Sequence, residues 1–347
     1  MAKTLQNPYR GTGLRGLTRF PQTDATPVGT LLAHCPAHKP TPLRRADALA
    51  RDLRVASVAL KDERGRMGLG SFKALGAAYA IARDASLAGG AWDSALAGRC
   101  YVTASAGNHG LSVAAGARLF GARAVVYLAQ TVPEAFADRL RAKGAEVCRE
   151  GDTYEASMAA AEAAATGNGW TLLSDSSWPG YEEMPFHVME GYLQMAAEIV
   201  AEMAAPPTHI LLQAGVGGLA AAVAAHARQA WGDAPVIVVV EPDAAAALQD
   251  SIAAGAIVTA QGPVSDMGRL DCKTPSMIAL AGLARDADVF VTISEADAAD
   301  AVATLAANGI PTTPSGAAGL AAALSHAVPL PEDARLLAII SEGAEDG

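Results

Sequence analysis

Charge is scarce in this chain, and what there is leans acidic. Only 18% of its 347 residues are Asp, Glu, Lys or Arg, and the formal net charge is −10. Without a basic excess, no broad positive field exists to hold a phosphate backbone or an anionic lipid surface. Nucleic acid and membrane surfaces are therefore not expected partners. No stretch offers about 18 apolar residues free of helix breakers, which argues against a membrane-spanning helix. The opening "MAKTLQNPYRGTGLRG" lacks the apolar core of a signal peptide. Cysteine is also sparse. Cys35, Cys100, Cys148 and Cys272 stand far apart, with no CxxC pair and no histidine at metal-ligand spacing. They read as reduced thiols, so no metal site is expected, and the expected compartment is the cytoplasm.

What the chain has in quantity is apolar residues, 51% of the total. That suffices for a large core, in one large or two coupled domains. The apolar residues come in short β-branched runs: "VASVALKD", "RCYVTAS", "RAVVYLA", "AEVCRE", "HILLQAG", "PVIVVVE", "DVFVTI" and "RLLAIIS". Alanine- and leucine-rich helical stretches separate them. This alternation predicts an α/β protein with parallel sheets covered by helices on both faces and ligands at the strands' C-terminal edge. Strands at 98–104, 124–129 and 145–149 predict a small α/β domain, residues 95–175, inserted into a large domain of residues 1–94 and 176–347. Residues 182–203 predict the long helix that carries the chain back.

Three stretches carry the chemistry. "QAGVGGLAAAV" (213–223) follows an apolar strand and opens a helix. Its free backbone N–H groups and the helix dipole make an anion site suited to phosphate, or else a tight turn that needs glycine for packing. Gly215, Gly217 and Ala220 also fit G-x-G-x-x-G/A, and Glu241 stands where a ribose-binding acid would, so a dinucleotide and a dehydrogenase form a rival reading. That rival gives no work to the other two stretches.

The first of these is "GLGSFKALGAAYA" (68–80), which puts Lys73 at a helix start with Phe72, Leu75 and Tyr79 at helical spacing and Ser71 able to cap. On a surface Lys73 would simply be solvated. Facing inward it needs an ionic or covalent partner, and a desolvated amine loses its proton more readily and can condense with an aldehyde. Pyridoxal phosphate supplies both that aldehyde and a phosphate for the glycine loop. The second is "TASAGNHG" (103–110), in which Ser105, Asn108 and free N–H groups can hold a carboxylate and a cofactor's ring oxygen. The Asn-His pair has local capping as its plainer role, and the His109 ring reads as structural.

Together these stretches resemble the fold-type II pyridoxal phosphate enzymes, the tryptophan synthase β family, from "PTPL" (40–43) to "SEG" (341–343). Within that family "KDERGRMGLGSFKALG", "GNHG", "SDSSWPGYEEMP", "QAGVGGL" and "EP" look like the diaminopropionate ammonia-lyases. The resemblance implies a tryptophan synthase β-like fold, with two three-layer domains of parallel or mixed sheets and the cofactor in the cleft between them. It makes Lys73 the Schiff-base lysine with Phe72 beside the cofactor. Asn108 contacts the phenolic oxygen, and the backbone of Gly215, Val216, Gly217, Gly218 and Leu219 cradles the phosphate. Ser341 faces the pyridine nitrogen, where a hydroxyl does not enforce protonation and so favours expulsion of a β substituent over transamination. Ser105, Ala106, Gly107 and His109 line the substrate side, and Asp175 assists Lys73 in proton transfer or else caps the following turn. Ala106 stands where the lyase pattern has Asp. "MGRLDCKTPS" (267–276) places Arg269 and Lys273 either on a second substrate carboxylate or in an ion pair with Asp271.

The implied reaction is β-elimination from a small β-substituted amino acid, giving a 2-oxo acid and ammonia. Alternatives are a serine/threonine or 3-hydroxyaspartate dehydratase of the same fold and, from other classes, the dehydrogenase or a non-catalytic amino-acid sensor. A homodimer is implied by likeness, with "TPVGTLLAH" contributing to the interface.

Overall fold

The computed structural model describes residues 3–344. Its strands are β1 (Thr4–Gln6), β2 (Leu43–Arg45), β3 (Ser57–Asp62), β4 (Cys100–Ala104), β5 (Arg123–Leu128), β6 (Glu146–Arg149), β7 (Thr171–Leu172), β8 (His209–Gln213), β9 (Val236–Pro242), β10 (Val289–Ile293) and β11 (Arg335–Ile340). They form two sheets. Seven strands run in the order β1-β10-β9-β8-β11-β3-β2, and four in the order β6-β5-β4-β7. The small sheet is all parallel. In the large sheet the five inner strands are parallel, while β1 and β2 close the two edges antiparallel.

The inner strands are apolar throughout because both faces are covered, and a period of two divides each run between two cores. Ile210 and Leu212 of β8, Ile237 and Val239 of β9, and Leu337 and Ile339 of β11 pack on one side. Leu211, Val238, Val240, Leu336, Ala338 and Ile340 pack on the other. The first side is covered by helices Lys73–Ala88, Glu183–Glu202, Gly218–Trp231 and Met277–Asp286; the second holds Glu295–Ala307 and Pro314–Leu324. The result is the helix–sheet–helix layering of a tryptophan synthase β-like α/β fold.

One helix crossing sets the position of the lysine. A Cβ on Gly191 would lie 2.5 Å from the Leu75 carbonyl oxygen, and one on Gly76 would lie 2.6 Å from the Tyr192 ring. The helices beginning at Lys73 and Glu183 therefore meet backbone to backbone, and only glycine at both positions permits it.

Each of the eight apolar runs read from the sequence contains a strand, and the long helix spans Glu183–Glu202. β1, β2 and β7 were not anticipated. They are two or three residues long and sit at sheet edges, where pairing defines them and no side-chain period does.

Candidate active site

The helix Lys73–Ala88 starts against the local rules. It has no acidic residue in its first turn and no side-chain cap, yet it opens with a cation at the positive end of its dipole. Ser71 does not cap it as expected. Phe72 already has helical angles (φ −57°, ψ −24°), whereas a capping residue needs extended backbone. Ser71 instead bridges Glu342, and Phe72 N donates to the Ser341 carbonyl at 3.1 Å. The lysine segment is thereby fastened to the end of β11.

Asp175 compensates the misplaced cation. Its carboxylate accepts from Lys73 Nζ in an ion pair whose side chains are only 21% and 17% exposed. The Phe72 and Tyr192 ring centroids lie 5.1 and 5.8 Å from Nζ, on the flank of the pair. The loop bearing Asp175 is pinned by Ser177, whose Oγ meets Ser276 Oγ at 2.7 Å and accepts from Ile278 N at 2.9 Å. Burial would lower the lysine's proton affinity, but the Asp175 charge outweighs it and holds the ammonium above the usual lysine range. Burial likewise pushes Asp175 up, and Lys73 more than reverses this, holding the carboxyl well below the usual range. An easily deprotonated amine, anticipated from desolvation alone, does not exist while Asp175 is charged.

Across the cleft, Gly217 adopts φ +98° and opens helix Gly218–Trp231 with neither a side-chain cap nor an acidic first turn. The Val216 amide is turned to the Cys272 thiol, while among the described residues the amides of Gly215, Gly217, Gly218 and Leu219 find no acceptor. A Cβ on Gly215 would lie 3.0 Å from Cys272 Sγ and from the Arg269 carbonyl, so any side chain there would fill the cradle.

Helix Asn108–Leu119 brings the third stretch to the cleft, also without a side-chain cap. Asn108 Nδ2 donates to Glu342 Oε2 at 2.5 Å. Ser105 Oγ accepts from Gly107 N at 3.3 Å, and half-buried Ala106 lies between them. His109 is buried, with one ring nitrogen 2.8 Å from the Leu173 carbonyl, and burial lowers its pKa. A neutral ring donating to Leu173 gives it a structural task. Ser341, buried at the end of β11, completes the floor.

Arg269 and Lys273 part company. Lys273 pairs with Asp271 at 2.5 Å and donates to two carbonyls, Ala244 O and Pro263 O. Arg269 turns the other way. Its guanidinium lies 3.1 Å from where a Gly107 Cβ would be, and its Nε is 4.0 Å from Glu342 Oε2.

Glu241 removes the support for a dinucleotide. Its buried carboxylate accepts from Leu248 N at 2.7 Å and Gln249 N at 2.8 Å, at the start of helix Ala247–Ala254. It caps a helix and presents nothing to a ribose.

The sequence pattern that defines the pyridoxal-phosphate dependent enzymes matches residues 35–342. The chain belongs to that family.

Relatives of this pyridoxal-phosphate-dependent enzyme narrow the comparison. It is 34% identical over 269 residues to a Salmonella typhimurium diaminopropionate ammonia-lyase, an alignment spanning 72% of this chain and 64% of that one. Its fold matches the Escherichia coli diaminopropionate ammonia-lyase solved with an aminoacrylate-PLP azomethine reaction intermediate, with a TM-score of 0.88 and 29% identity. That match covers 100% of this chain and 94% of the other. The same E. coli enzyme in complex with D-serine also gives 0.88, at 28% identity, over 100% and 95% of the two chains.

The residues fit the cofactor. Free glycine amides at a helix start suit a phosphate, the Lys73 amine lies beside them, and the glycine cradle leaves room. Two members of this cleft escaped sequence reasoning. Glu342 carries no role in the "SEG" motif as the sequence presents it, and Cys272 reads there only as a reduced thiol. Cys272 faces the glycine loop, and burial foremost pushes its thiol up to about 12, so it stays protonated. No local pattern marks either residue; only the fold brings them in.

Proposed function

We propose that this enzyme catalyses β-elimination from a small β-substituted amino acid in the manner of a diaminopropionate ammonia-lyase, yielding a 2-oxo acid and ammonia. The observation that carries the reading is the Lys73–Asp175 pair facing a cradle of unbonded glycine amides, in a fold shared with an enzyme solved with an aminoacrylate-PLP azomethine.

Pyridoxal phosphate, when bound, supplies an aldehyde for the substrate's amine and an electron-withdrawing ring that acidifies Cα–H. The chain's residues do the rest. Amides from Gly215 to Leu219 hold the phosphate, Phe72 flanks the ring, Asn108 Nδ2 serves its phenolic oxygen and Ser341 Oγ its nitrogen. Ser105, Gly107 and the neighbouring amides bind the substrate carboxylate. Once free, the Lys73 amine is a strong base, because Asp175 favours its charged form, and it takes the Cα proton at Nζ. Ammonia and water depart well only as neutral molecules, so the proton held between Lys73 and Asp175 is passed to the leaving group. Arg269 faces the substrate loop and is placed to pair with a distal carboxylate.

The large domain is assigned to residues 1–94 and 176–347 and the small one to 95–175. A cytoplasmic homodimer completes the reading. The four cysteines are free thiols, and no described helix is long and apolar enough to cross a membrane. An apolar hollow of about 170 Å³ beside Leu31, Trp92 and Leu119 suits a second copy.

Borohydride reduction followed by peptide mass spectrometry should leave a pyridoxyl group on Lys73; an unmodified Lys73 would refute the assignment. Ammonia release measured over L- and D-diaminopropionate, serine, threonine and 3-hydroxyaspartate then separates lyase from dehydratase. Release from none of them marks a sensor.

A further inference from the structure

Glu342 is buried, 5% exposed, and four segments of the cleft converge on it. Asn108 Nδ2, at the start of the helix that follows β4, donates to Oε2 at 2.5 Å. Thr313 Oγ1, at the cap of helix Pro314–Leu324, donates to Oε1. Arg269 Nε approaches Oε2 at 4.0 Å from the loop that packs on Gly215. The backbone of Glu342 bridges Ser71, two residues before Lys73, and its carbonyl accepts from Thr312 Oγ1 at 2.6 Å. A carboxylate only accepts hydrogen bonds, whereas an asparagine amide has an oxygen on one side and two N–H donors on the other. Glu342 therefore fixes which way Asn108 faces. The NH2 group must turn toward the carboxylate, which occupies one N–H and leaves the second free.

We infer that Glu342 is a positioning residue that locks the Asn108 amide so its second N–H is presented to the cofactor's ring oxygen. The inference rests on the placement of Asn108 at that oxygen. A donor there favours the form in which the oxygen carries full negative charge, so it sets the absorption of the bound cofactor as well as its reactivity. Glu342 acts on the ring oxygen through Asn108, and its removal lets the amide rotate and present oxygen to oxygen, a repulsive contact.

The test is a double-mutant cycle on the holoenzyme, read by the cofactor's visible absorption maximum and its titration midpoint rather than by turnover. Asn108→Ala should shift the band or raise the midpoint. Glu342→Ala should give a shift in the same direction, and the double variant should show no more than Asn108→Ala alone. Glu342→Gln preserves shape and one acceptor and should fall between wild type and Glu342→Ala, which guards against a misfolded alanine variant. If Asn108→Ala shifts the spectrum while neither Glu342 variant does, or if the two effects add, the role of Glu342 is wrong and the placement of Asn108 stands. If Asn108→Ala leaves the spectrum unchanged, both fall.

Discussion

Two clusters of buried charge stand out in this fold, and they are built to opposite specifications. In the first, Arg66 is fully buried, and its guanidinium contacts Glu63 twice at 2.7 Å, Glu198 at 2.7 and 2.9 Å, the Lys39 carbonyl at 2.9 Å and Thr41 Oγ1 at 2.9 Å. Lys61, equally buried, adds bonds to the Thr41 carbonyl at 2.7 Å and to Glu198 at 2.8 Å. Every donor of that guanidinium is used, and no part of it can be offered to a ligand. In the second, Lys73 and Asp175 have each other, a partly open surface and a neighbouring row of unbonded amides. A saturated network holds a loop in place and an unsaturated one binds. The difference shows why buried charge by itself is no mark of a catalytic site.

Substitutions should separate the two roles. The largest effect is expected from Lys73→Ala, which removes the amine placed to condense with the cofactor; turnover and the reducible linkage should both vanish while the fold survives. Asp175→Asn should lower kcat by about 10²- to 10⁴-fold, the usual range for a group that moves protons. It should also do something Lys73→Ala cannot. With the carboxylate gone, burial loses its strongest opponent, so the pH at which Lys73 begins to condense with added pyridoxal phosphate should move down, as followed by visible absorption.

Glu198→Ala should leave the cofactor's spectrum intact in the folded enzyme but cost about 3–5 kcal/mol in denaturant unfolding, because Arg66 and Lys61 lose their shared counter-charge. Burial raises the Glu198 pKa, and Arg66 and Lys61 overcome that to hold it below its ordinary value. Its stabilisation is thus complete above the ordinary carboxylate range and is lost as pH falls through the depressed value. The wild type should shed stability across that acid window faster than Glu198→Ala. The smallest effect is expected from Gly217→Ala. An alanine at φ +98° is strained by about 1–2 kcal/mol, and its Cβ would press on Ala279 and Leu248 at 3.0 and 3.1 Å. Melting with and without pyridoxal phosphate should show the loss, together with weaker cofactor retention.

Most of the fold was legible because both-face burial writes long apolar runs, and the runs in β8, β9 and β11 could hardly be anything else. Lys73 was legible because a cation at a helix's positive end, unaccompanied by an acid, conflicts with local propensity, and such conflicts gather at functional sites. The glycine loop was legible through its residues, although Glu241 showed that the same letters serve a competing motif until a partner is found for the acid. No local pattern pointed to the partners: Asp175 was reached only through the family resemblance, and Glu342 was given no role. Asp175 lies 102 positions from Lys73 and Glu342 lies 234 from Asn108. No periodicity spans such distances, and the Ser71 cap failed because pairing to Glu342 overrode a local preference.

The placement of β11 has a consequence for biogenesis. It is the last of the described strands in sequence, yet it fills the slot between β8 and β3. Until residues 335–340 leave the ribosome, the sheet is two separate halves, each with an open edge rich in valine, isoleucine and leucine. The anchor for Lys73 and the acceptor for Asn108 arrive on that same segment. Assembly of this catalyst therefore waits for that segment, and until it docks the two sticky edges make the folding chain a natural client for chaperones.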